Sequence, residues 1–175
     1  MIDKKIIRRK ILALVMFIIT LCLVEFSSFS EKAISLTNGG YGVLDMKIYN
    51  SNTFIEMMKS SNNISIYWKY YLLDSIFTVA FLNFMIQIVS GFEGPVIGKI
   101  KNISFIMAAI RALLDFTENG IMLNQIYSFP NVNNGLINAC NIITRMKFSF
   151  MRGWILCFFT IIIIQGVQKR NEVIH

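Results

Sequence analysis

The chain has 175 residues, of which 55% are hydrophobic and 15% charged, with a formal net charge of +7 and a mean hydropathy of +0.57. A soluble domain carries about a quarter charged residues, so this composition excludes a soluble globular enzyme, a disordered chain and a collagen-like fibre, and indicates an integral membrane protein. The one histidine is His175, and Cys22, Cys140 and Cys157 form neither a C-x-x-C pair nor a disulfide framework, so no histidine-based triad, zinc site or haem is expected and no cofactor is implied.

A spanning helix needs about 20 mostly apolar residues, and four stretches qualify. The first covers about 11–26, behind a basic leader of Lys4, Lys5, Arg8, Arg9 and Lys10. No small-residue cleavage site follows it, so it reads as an uncleaved anchor rather than a signal peptide. The outer loop 27–66 comes next. Asn38-Gly39-Gly40 marks a turn, and Phe54, Ile55, Met57 and Met58 beside Glu56 and Lys59 fit a short amphipathic helix on the extracytoplasmic surface. Spans two, three and four cover about 67–91, 103–127 and 138–167. The expected fold is an all-α, single-domain, four-helix transmembrane bundle over 1–175.

Lysine and arginine set the orientation. The leader, the Lys99 and Lys101 loop, and the Lys169-Arg170 tail fall on one side of a four-span chain, while the 27–66 loop balances its charges and 128–136 has none. Both termini are therefore expected in the cytoplasm, in a multi-pass cell-membrane protein. The net charge is mostly this topology signal. No basic, aromatic-studded soluble face invites nucleic acid. The abundance of Ile, Asn and Lys suggests an AT-rich coding sequence and a bacterial source.

Ionisable groups inside a span are costly and mark function by default. Span two holds Asp74, on one face with Tyr67, Tyr70, Tyr71, Phe77, Thr78 and Phe81. Span three holds Arg111, Asp115 and Glu118, then Asn119. Arg111, Asp115, Glu118 and Met122 share one stripe of a helix, so Arg111 and Asp115 can pair. On span four, Arg145, Ser149 and Arg152 lie on one stripe, and Lys147 lies on another with Cys140, Thr144 and Trp154. Depth counting puts these groups in the outer half of the membrane.

Leu44-Asp45-Met46 with Tyr49, Leu73-Asp74 with Phe77, Asp115-x-x-Glu118-Asn119 inside an apolar helix, and Lys147 in the last span together resemble a family of small bacterial four-span membrane proteins of uncharacterised activity. The resemblance covers residues 41–155, although a proline expected near Thr78 and a tyrosine near Phe81 are missing. It implies four spans and marks Asp45, Asp74, Asp115, Glu118, Asn119 and Lys147. It implies no reaction.

Two functions fit. In the first, a polar intramembrane pocket binds or processes a membrane lipid or small amphiphile. Asp74, Asp115 and Glu118 are then acid/base candidates, and Arg111, Asn119, Lys147, Tyr71 and Asp45 are ligand-binding candidates. In the second, the charges glue the helices of a non-catalytic subunit, carrier or immunity-type protein, working with a partner membrane protein or as a homo-oligomer. A closed, fully paired cluster would favour the second, and an open cleft holding an unpaired carboxylate the first.

Overall fold

A computed structural model of the chain describes residues 4–43 and 49–174. Helices carry almost all of it: α1 (Lys4–Phe26), α2 (Glu31–Thr37), α3 (Ser51–Ser60), α4 (Ser65–Ser90), α5 (Pro95–Ser128) and α6 (Asn134–Ile174). No strand occurs among the described residues. Three helical stretches are long and apolar enough to cross a membrane: Ile6–Thr37, which takes in α1 and α2, then Ser65–Ser90 and Asn134–Gln168. Helix α5 is longer than α4, but its charged residues keep it out of that set.

Local chemistry sets the breaks. Ser30 caps α2 by accepting from the Ala33 amide, and Asn50 caps α3 by accepting from Thr53 at 2.9 Å. Gly39 and Gly40 turn the chain after α2 at φ of 71° and 90°, a region closed to most side chains. Gly94, at φ 135°, and Pro95 start α5. Proline suits that first position because its missing N–H would have had no helical partner. Asn133 starts α6 by accepting from the amides of Gly135 and Leu136.

The four long helices stand in a row. Helix α1 packs on α4, α4 on α5, and α5 most extensively on α6. Helices α1 and α6 share no pairing of comparable extent, so the row stays open along one side.

The two ends differ in chemistry. At one end Lys10 reaches the Ile88 carbonyl at 3.5 Å, Lys101 donates to the Phe92 carbonyl, and Gln168 abuts Gly94. The basic leader, the α4–α5 turn and the end of α6 therefore meet at this basic end. The opposite end is capped by α2, α3 and the loop beside them. The Asn38 amide donates to Gly42 and to the Tyr67 hydroxyl, and Asn141 exchanges two hydrogen bonds with the Tyr49 backbone. These contacts tie the cap to α4 and α6. The amphipathic helix expected within 27–66 is α3, which buries Phe54, Met57 and Met58.

Two apolar clusters fill the interior. One, at the capped end, gathers Ile34, Phe54, Met57, Tyr67, Tyr71 and Met122. The other, toward the basic end, gathers Met85, Val89, Ile97, Trp154 and Ile161. A polar and charged layer lies between them. The outward faces are the reverse of a soluble protein's. Leu12, Ile19, Leu72, Val79, Leu113, Leu156 and Ile163 are all exposed, an apolar surface far beyond the scattered patches of a soluble monomer.

Candidate functional site

The layer is built from one stripe on each of three helices. The i, i+4, i+7 spacing buries Arg111, Asp115 and Glu118 on a single face of α5, followed by Asn119. Helix α4 presents Asp74 and Thr78 from its buried face, and α6 presents Thr144 and Lys147. Asp74 is 7% exposed, Asp115 2%, Glu118 0% and Lys147 6%. Ions so deep cost several kcal/mol each to desolvate, so partners must offset that cost.

The partners are in place. Arg111 Nη2 lies 2.9 Å from Asp115 Oδ2, and Lys147 Nζ lies 2.8 Å from Asp115 Oδ1 and 2.5 Å from Glu118 Oε2. The Thr78 hydroxyl donates to Asp115, and the Thr144 hydroxyl donates to Glu118. The Arg111 guanidinium also rests on the Phe81 ring, 4.6 Å from its centre. Arg111, Asp115, Lys147 and Glu118 thus form a chain of alternating charge that bolts α5 to α6.

Asp74 stands apart from this quartet. Its Oδ2 accepts from the Asn119 amide at 2.8 Å, and among the described residues it has no ion pair. Asn119 also reaches the Ser75 hydroxyl at 3.4 Å. Asn119 Oδ1 and Arg111 Nη1 are buried without a hydrogen-bond partner among the described residues.

A cavity of about 230 Å³ opens beside this layer. Its floor is Asp74, Arg111, Asp115 and Lys147, and its walls include Phe77, Phe81, Phe148 and Met151. Leu21 and Val24 of α1 close one flank, and Glu25 and Glu31 stand toward the capped end. The cavity therefore occupies the gap left where α1 and α6 fail to pack together.

The sequence candidates fall into three groups. Asp74, Arg111, Asp115 and Lys147 meet at the cavity, and Glu118 and Asn119 lie directly behind them as partners. Tyr71 is buried in the apolar cluster at the capped end, edge-on to Tyr70, and Tyr70 is the tyrosine that lines the cavity. Asp45 lies outside the described residues. Arg145 and Arg152, expected at the same depth as the acids, are exposed and take no part in the layer. Sequence reading missed Glu25, Glu31 and Phe148. Glu25 carried a usable signal, because it is an acid at the end of an apolar helix with no base beside it. Among the described residues no group of histidine, cysteine and carboxylate side chains could hold a metal ion.

No family model, curated protein or solved structure matches the chain. The site's own chemistry therefore carries the functional reading.

Proposed function

We propose that the chain is an integral membrane protein of four spans, with both termini in the cytoplasm, that binds a lipid-like amphiphile in the cavity between α1 and α6. Helix α5 is the fourth span in this reading. Its Arg111, Asp115 and Glu118 are buried against α4 and α6 rather than facing lipid, so its low hydropathy in that stretch reflects an interior role. The basic end faces the cytoplasm by the lysine and arginine rule. The charged layer then lies in the outer half of the bilayer. The small bacterial family that the motif residues resemble has the same four-span plan.

One observation carries the proposal: a cavity with aromatic walls has a carboxylate, Asp74, with no cationic partner among the described residues on its floor. Ligand sites characteristically set a few polar groups among apolar walls. The open side lets a ligand enter from the hydrocarbon without crossing the cap. A volume of about 230 Å³ suits a headgroup and the first part of its chain. The second reading, charges as glue, is favoured for the paired quartet by its complete set of contacts. The two roles coexist, with the quartet fixing the register of α5 and α6 and Asp74 facing the ligand. The reading stops at binding and assigns no reaction.

Filling the cavity tests it. Val24→Trp projects an indole from α1 into the gap. Native mass spectrometry of protein released from native membranes should find an amphiphile held by the wild type and lost from Val24→Trp, with helicity and melting behaviour retained. Equal retention by both proteins would end the proposal.

A further inference from the structure

We infer that the amphiphile is cationic, an alkyl chain ending in an ammonium with a neighbouring oxygen. This inference rests on the binding reading above and names the headgroup.

Charge balance is the first argument. The ionisable groups around the cavity are Glu25, Glu31, Asp74 and Asp115 against Arg111 and Lys147. Both bases are already engaged. Asp115 bridges them, and Lys147 holds Glu118 as well. Asp74 has a neutral amide as its partner. Asp74 on the floor and Glu25 beside it therefore leave a negative surplus at the cavity among the described residues. An anionic headgroup would meet the Asp74 carboxylate beside bases whose charge is already neutralised. An ammonium would meet Asp74 directly and lie against the rings of Phe77 and Tyr70, whose faces attract cations.

The second argument is independent of charge. The Arg111 side chain is 9% exposed, lines the cavity, and leaves Nη1 without an acceptor among the described residues. A buried donor left unsatisfied costs free energy, so an oxygen on the ligand fits here. The quartet already supplies Arg111 with its counter-charge, so a neutral hydroxyl or ester oxygen suffices. Amine and oxygen together describe an amino-alcohol or amino-ester headgroup.

The test compares probes of matched chain length at pH 7 in phosphatidylcholine nanodiscs, with empty discs as baseline. Sphinganine carries an ammonium and hydroxyls, octadecyl phosphate carries an anion, and octadecanol carries no charge. The wild type should retain sphinganine over octadecyl phosphate by about tenfold, roughly what one charge contact in a poorly hydrated site supplies. Asp74→Asn should erase that preference, and Val24→Trp should lower retention of every probe. Should Asp74→Asn fold poorly, Glu25→Gln should still weaken sphinganine retention by about threefold. Octadecyl phosphate held as well as sphinganine, and released by Val24→Trp, would overturn the headgroup while leaving the binding site. Sphinganine retention untouched by a well-folded Asp74→Asn would overturn it too. Failure of any probe to exceed empty discs would remove both claims.

Discussion

Asp74 and Asp115 are both buried aspartates in one layer, yet their surroundings differ in kind. Asp115 is gripped by Arg111, Lys147 and Thr78, whereas among the described residues Asp74 is held by Asn119 alone. Removing one member of a buried ion network strands the charges left behind and costs about 3 kcal/mol or more. Asp115→Asn should therefore lower unfolding free energy in detergent by about that amount, against about 1 kcal/mol or less for Asp74→Asn, which exchanges one hydrogen bond. Equal losses, or the reverse order, would remove the distinction. Lys147→Met alone should be severely destabilising because it leaves Asp115 and Glu118 facing each other. Pairing it with Glu118→Gln should recover much of that loss, and a double-mutant cycle measures the coupling. Strict additivity would mean the pair contributes nothing as a pair.

At the level of elements, the charged stripes were legible because helix geometry alone dictates them. Arg111, Asp115, Glu118 and Met122 share a face at any tertiary arrangement, and all four are buried. Helix ends were less legible. Span three was expected from about Ile103, but α5 begins at Pro95. Hydropathy registers only the part suited to hydrocarbon, and Lys99, Lys101 and Asn102 continue the helix beyond it. Helix α2 escaped notice because seven residues give no usable periodicity, and its start signals were only the Ser30 cap and Glu31 in the first turn. The gap between α1 and α6 was out of reach, since one sequence does not say which non-consecutive helices touch. The cap supplies a prediction at this scale. Asn38→Ala removes hydrogen bonds to Gly42 and to Tyr67. Losing buried partners costs about 1–3 kcal/mol, seen here as faster proteolysis within 27–66. Unchanged cleavage would mean the cap is held elsewhere.

Across the whole molecule, charge and apolar surface follow opposite logics. Ions sit inside, apolar side chains cover the outside, and cations gather at one end. The proposed topology puts α3 outside the cell. With Cys22, Cys140 and Cys157 replaced by alanine, Ile55→Cys should react with an impermeant maleimide from the outer face of intact cells. Reaction only after the inner face is exposed would invert the topology and move the cavity to the inner half. The most direct measurement is a cryo-EM map of the protein in a lipid nanodisc, held by a rigid antibody fragment. The expected map has α1 and α6 apart, Lys147 between Asp115 and Glu118, and amphiphile density reaching Asp74. A map with α1 packed flat against α6, or with Asp74 turned toward lipid and no cavity beside it, would contradict that expectation.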